Sequence, residues 1–184
     1  YNIAVGYNAG QAMTTGLYNV LLGAAAGDAI TTAEKNIAIG YGALGSEDTH
    51  GKNVAIGDSA LTTLNAGAYG FNVAVGHEAG TAMTTGLNNV LIGSQAGDAL
   101  TTGSGNVAIG HEALSAEDAH GRNVAIGYLT LQSQNAGALA YNVAVGYSAG
   151  IAVTTGVRNT LIGGLSGDAI TTGGDNVSLG YNSF

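Results

Sequence analysis

A pentad, Asn-aliphatic-x-aliphatic-Gly, begins at Asn2, Asn19, Asn36, Asn53, Asn72, Asn89, Asn106, Asn123, Asn142, Asn159 and Asn176. Three equal steps are followed by one that is two positions longer, and this pattern then starts again. Four units therefore make one superrepeat, which runs from Asn2 to Asn72, from Asn72 to Asn142 and on toward the last residue. A chain made of such units can bury an apolar face only by stacking one unit on the next. The first unit type reads NIAVGYNAGQAMTTG. The second carries Leu21, Leu91 or Leu161 at its centre, the third carries the Glu-Asp-x-His-Gly-basic segment, and the fourth is the longer one.

Within the pentad, the second and fourth positions are aliphatic in 21 of 22 cases, Thr160 being the exception. The third position is Ala, Leu or Ser, and the fifth is always Gly. Alternation with a period of two predicts a short strand with one bulky and one small face. A second short run, such as Ala9 to Met13, precedes a Thr-Thr-Gly turn. The expected fold is an all-β parallel β-solenoid in one domain, residues 1–184, with two or three short strands per coil. Coils about 4.8 Å apart would make a rod of roughly 50 Å. The Val/Ile pairs are expected to stack inward as an apolar column. The Ala/Gly face is expected outward, packed against another chain. The eleven Asn residues are expected to form a hydrogen-bonded ladder along one corner.

Composition removes the alternatives. With 32 Gly and 31 Ala in 184 residues, long helices are excluded, because each glycine costs a helix about 1 kcal/mol. TPR, ankyrin and HEAT units fall with them. There is no Pro and no G-X-Y period, which excludes collagen. The absence of Cys excludes disulfide scaffolds. The L-x-x-L-x-L frame of leucine-rich repeats is missing, and so are the paired aspartates of calcium-binding nonapeptide rolls. The net charge of −8, with only four Lys and Arg, argues against nucleic acid and anionic membranes as partners. No apolar run is long enough to span a bilayer. The chain opens mid-pattern at Tyr1, which suggests a piece of something longer. A thin coil this apolar would leave faces exposed that monomers avoid, so a homo-oligomer is expected. Threefold symmetry would let three solenoids share one axis.

The units NIAIGYGAL, NVAIGDSAL and NVAIGHEAL resemble the head repeats of YadA-like trimeric autotransporter adhesins. They are still more similar to the N-x-A-I-G-Y-x-A-G…T-T-G arrays of bacteriophage and marine viral tail-fibre proteins. The coils are longer than those of the adhesin heads, which favours the fibre. The resemblance implies a left-handed parallel β-roll and a homotrimer, on a virion or at a bacterial cell surface, used for host attachment. The partners it implies are the chain itself and a host glycan or protein receptor, with no cofactor.

Seven of the eleven residues that follow the pentad glycine are Tyr or His: Tyr7, Tyr41, His77, His111, Tyr128, Tyr147 and Tyr181. They read either as platforms for sugar rings or as packing against a neighbouring subunit. No metal site is assigned. His50 and His120, each beside Glu-Asp, are the nearest candidates, and the plainer account is a polar turn in which Lys52 or Arg122 pairs the carboxylates. Asp28, Asp98 and Asp168 read as turn residues accepting backbone N–H bonds. Repeated Thr-Thr pairs raise ice binding as a remote alternative, which the missing pair in third-type coils weakens. The match of residues 40–45 to G-x-G-x-x-G is an accident of the repeat. Nearly every acidic residue belongs to a repeated or isolated position, so no catalytic constellation stands out and no enzymatic activity is expected.

Overall fold

A computed structural model describes residues 1–184. It contains eleven strands of three residues each, from β1 (Ile3–Val5) through β2 (Val20–Leu22) to β11 (Val177–Leu179). All are parallel and lie in one sheet in chain order. Each pentad thus forms one rung, and the remainder of each unit returns the chain to the next. The chain is a β-solenoid without helices.

The coil is built mostly from turns. Of 105 backbone hydrogen bonds, 85 lie outside the strand ladder, most of them joining one coil's turns to the next. The second run expected as a strand, Ala9 to Met13, is such a turn region. Its left-handed residues explain why: Asn8 and Gly10 sit at φ 57° and 60°, which breaks any extended segment. The extra length of the fourth unit leaves the strand register intact, since Val54 still pairs with Val73. It enlarges the turn at residues 65–71, where Gly67 has nothing within 4 Å of where a Cβ would stand.

The facing of the strands is the reverse of the sequence expectation. The middle residue of each interior rung is wholly buried: Leu21, Ala38, Ala55, Ala74, Leu91, Ala108, Ala125, Ala144 and Leu161. The Val/Ile pairs on either side point outward and are half-buried or exposed. The physical reason is the bore of the coil. A unit this short encloses too little space for two aliphatic side chains per rung in addition to what the turns contribute.

The turns contribute the rest of the core. Eight and eleven positions after each Asn, the chain points inward again. The first of these columns reads Gly27, Leu44, Leu61, Gly80, Gly97, Leu114. Where the rung carries Ala, as at Ala38 and Ala55, this column supplies Leu44 and Leu61; where the rung carries Leu91, it supplies Gly97. A Cβ on Gly80 would stand 2.7 Å from the tip of Leu91 and 2.9 Å from that of Leu61, so leucines from both neighbouring coils fill that coil's space. The superrepeat is thus a packing period of large and small residues, four coils long. Leu44, Leu61, Leu114 and Leu131 hold φ between 50° and 57° to reach the core. Each such conformation costs about 1 kcal/mol, which burying a leucine offsets.

Candidate functional site

Three surfaces and one buried column concentrate the chemistry. The first surface is the outward face of the sheet. It carries 22 side chains in two rows, 21 of them aliphatic. No other part of the chain covers it: Leu22, Ile92 and Ile162 are 45%, 37% and 39% exposed. At about 4.8 Å per rung and roughly 10 Å across, the face is on the order of 500 Å². That lies toward the upper end of the largest apolar patches that monomers display.

Along one edge of this face runs the row after the pentad glycine. It is interrupted by Ala24, Asp58, Ser94 and Gly164, so it is no unbroken stripe. Only coils seven to nine place three rings in succession. His111 stacks on Tyr128 at 5.4 Å, and Tyr128 stacks on Tyr147 at 5.6 Å. Tyr7, Tyr41 and Tyr181 are exposed, each without a ring partner in its row. His77 and His111 each lie beside a carboxylate, Glu78 at 3.6 Å and Glu112 at 3.7 Å.

The opposite edge holds a feature that the sequence reading missed. The residue preceding each Asn forms a column of Tyr1, Tyr18, Lys35, Lys52, Phe71, Asn88, Gly105, Arg122, Tyr141, Arg158 and Asp175. All four Lys and Arg of the chain lie in it. From Tyr18 to Asp175 every member is left-handed, with φ between 49° and 72°, which turns each side chain away from the coil. Writing the units one above another would have revealed the column. Lys52 Nζ lies 3.5 Å from the centre of the Tyr69 ring, and Arg122 donates to the Tyr141 hydroxyl at 2.6 Å. Neither Lys52 nor Arg122 pairs a carboxylate, contrary to the expectation for the His50 and His120 turns. The two ion pairs on this edge are Lys35–Glu34 and the bidentate Arg158–Asp175.

The Asn ladder runs just inside this edge. At all ten steps, the backbone N–H of one Asn donates to Oδ1 of the Asn below, at 2.8 to 3.2 Å. Several Nδ2 groups also donate to a backbone carbonyl at the end of their own coil, as Asn72 does to Gly86. The hydroxyls of Thr14, Thr31, Thr84, Thr101 and Thr154 are committed in the same way, each donating to a carbonyl of the next coil. The first Thr of each of these pairs is thus spent on the stack, while the second, as at Thr15, Thr32, Thr85 and Thr155, stands exposed.

The buried column stands at the eleventh position after each Asn: Met13, Ile30, Glu47, Leu64, Met83, Leu100, Glu117, Gln134, Val153, Ile170. Two carboxylates occupy places that are apolar in most other coils, and both are fully buried. Glu47 Oε1 accepts the His50 N–H, and Glu117 Oε1 accepts the His120 N–H, each at 3.1 Å. Burial between Ile30 and Leu64 pushes the Glu47 carboxyl up to about 7, with the His50 and Ala66 N–H groups pulling the other way and the Asp48 charge adding to the rise. Burial likewise holds Glu117 and Asp98 above their ordinary range. The Asp98 and Ala99 N–H groups act against that rise, while Oδ1 of Asp98 is buried without a hydrogen-bond partner. Glu117, Asp118 and His120 bring ligand atoms within 4.8 Å of one another; Glu47, Asp48 and His50 do not form such a group.

A pH dependence follows from Glu47. Its folded pKa lies above the unfolded value of 4.5, so the fold favours the neutral acid. The stabilisation is complete below 4.5 and is lost as pH rises to about 7. At pH 8 the ionised group should cost the fold about 3 kcal/mol. Glu47→Gln keeps an oxygen for the His50 N–H and cannot ionise. The variant should melt well above the parent at pH 8 and alongside it near pH 4.5. Parallel melting curves at both pH values would contradict the burial of this charge.

One hollow, of about 350 Å³, lies at the last coil and is lined by Ala169, Ile170, Thr171, Gly173, Asn176 and Phe184. No helix is long and apolar enough to cross a membrane. No family model, curated protein or solved structure matches the chain.

Proposed function

We propose that this chain is a non-enzymatic structural and adhesive segment of a homotrimeric fibre, of the kind that attaches a viral tail to its host. The observation that carries the reading is the outward sheet face, 21 of whose 22 side chains are aliphatic, with nothing in the chain to cover it. Three such faces around one axis bury one another, and a rod of stacked coils transmits position along that axis. The contact surface is therefore the Val/Ile face rather than the Ala/Gly face expected from sequence. Mechanically, the fibre works through rigidity and multivalency, because three chains with repeated edges convert weak contacts into avidity.

The outer edges remain available for contact with a receptor. The His111–Tyr128–Tyr147 stack favours a second reading, in which the segment itself binds host glycans through ring stacking. The same resemblance also supports placement at a bacterial cell surface, as an adhesin head.

Light scattering tests the assembly. The expected mass is three times 18.0 kDa and independent of concentration. A chain that stays at 18.0 kDa would end the fibre reading. A glycan array separates the two roles. Binding lost in Tyr128→Ala/Tyr147→Ala makes the segment a receptor-binding module; the absence of binding leaves it a spacer.

A further inference from the structure

The geometry points to a divalent transition-metal site of the zinc class, formed by Glu117, Asp118 and His120, once per chain. Three observations meet at this turn. The Glu117 side chain is 0% exposed, and its Oε2 has no hydrogen-bond partner. His120 Nδ1 is also buried without a partner, 3.6 Å from Glu117 Oε1. That separation is long for a hydrogen bond. It is close to the roughly 3.4 Å between neighbouring donors on a tetrahedral zinc with ligand bonds of about 2.0–2.2 Å. Asp118 adds a second carboxylate within the same 4.8 Å group, and its backbone carbonyl is pinned by Thr101 and Thr102.

The chain contains its own control. The same Glu-Asp-x-His turn occurs one superrepeat earlier, at Glu47, Asp48 and His50. There, Thr49 Oγ1 lies 3.0 Å from His50 Nδ1, and the ring packs edgewise on Tyr69 with centroids 6.3 Å apart. In the second copy Thr49 is replaced by Ala119 and Tyr69 by Leu139. Both restraints on the imidazole vanish, and its Nδ1 is left beside the carboxylate. The column neighbour changes as well: Leu64 in the first copy is Gln134 in the second, and Gln134 Nε2 is another buried donor without a partner. An amide next to a ligating carboxylate is the kind of outer contact that orients it.

The donor set selects the ion. One imidazole nitrogen and two carboxylate oxygens suit zinc and its neighbours, whereas calcium requires six to eight oxygens and magnesium retains most of its water. Water would complete the coordination.

Calorimetric titration of the chelator-treated full chain with zinc chloride at pH 7.5 tests this. One equivalent per chain is expected, with no heat from magnesium or calcium. His120→Ala should abolish binding, and Ala119→Thr, which restores the hydroxyl present in the first copy, should weaken it at least about tenfold. Thr49→Ala/Tyr69→Leu should raise the stoichiometry from one to two. Circular dichroism of each variant checks that the solenoid is intact. Absence of zinc binding would overturn the site and leave the buried polar atoms to water. Binding that survives His120→Ala would overturn it as well, assigning the zinc to the exposed histidines.

Discussion

Gly110→Ala is expected to abolish the folded solenoid. Gly110 closes a central rung at φ +138°, a conformation that L side chains rarely adopt. A Cβ there would also collide with the carbonyl group of Gly127 in the next coil. The obstacle is backbone, so no rotamer change relieves it. The two coils would have to separate, and with them the strand ladder and the Asn ladder on either side. A loss beyond about 4 kcal/mol is expected from a substitution with both strain and overlap. Gly67→Ala provides the contrast. Its φ of +63° is left-handed too, but nothing stands within 4 Å, so the cost should be only about 1 kcal/mol. Thermal melting followed by circular dichroism distinguishes the two. A Gly110→Ala protein melting beside its parent would refute the close stacking of the rungs.

The second large effect separates two adjacent residues. If the chain forms the proposed trimer, Ile92→Lys should reduce it to single chains while leaving the solenoid folded. Ile92 is 37% exposed in the lone chain, at the middle of the apolar face. In a trimer, three lysines would meet near the axis without partners, and desolvating them outweighs what the aliphatic contacts contribute. Leu91→Ala should do the reverse. Leu91 is fully buried, and its side chain fills the space over Gly80 and Gly97. Removing it leaves a cavity at a cost of about 3 kcal/mol to the coil, with the contact face untouched. Mass by light scattering and melting temperature form a two-by-two test. If Ile92→Lys unfolds the chain and Leu91→Ala does not, the two faces have been exchanged.

The solenoid was legible because its signal is periodic. A pentad recurring at a nearly constant interval specifies a stack, and the alternation within it specifies a strand. The facing of that strand was not legible from alternation alone. A period of two says that the faces differ, and hydrophobicity suggests that the larger side chains go inside. That inference fails here because the turns also fill the core. Leu44 and Leu61 come from the second run of the unit, expected as a strand and folded as a turn, and they leave the rung room only for Ala38 and Ala55. The extent of turn was hidden for a related reason. Leu44 and Leu114 hold left-handed backbone that their residue type disfavours, so propensity could not announce it.

The candidate sites divide in the same way. The Tyr/His row and the His50 and His120 turns could be read from one line of sequence. The column of cations and aromatic residues could have been read too, had the units been written one above another. What one line could not disclose is that Glu47 and Glu117 stand in a core column, since that requires knowing which position of the unit points inward. Nor could it disclose that two near-identical turns differ in chemistry. That difference rests on Thr49 reaching His50 and on Tyr69 flanking it, a contact a whole coil away along the chain but next door in the stack.

By itself, the sequence determined the unit, the stacking, the rung and the glycine that ends it, because each depends on spacing and on steric limits local to the backbone. Only the tertiary structure decided which face is inside, which carboxylates are buried and which rows of side chains stand exposed. Those properties depend on the volume one coil encloses, and that volume is set by all four unit types packed against one another.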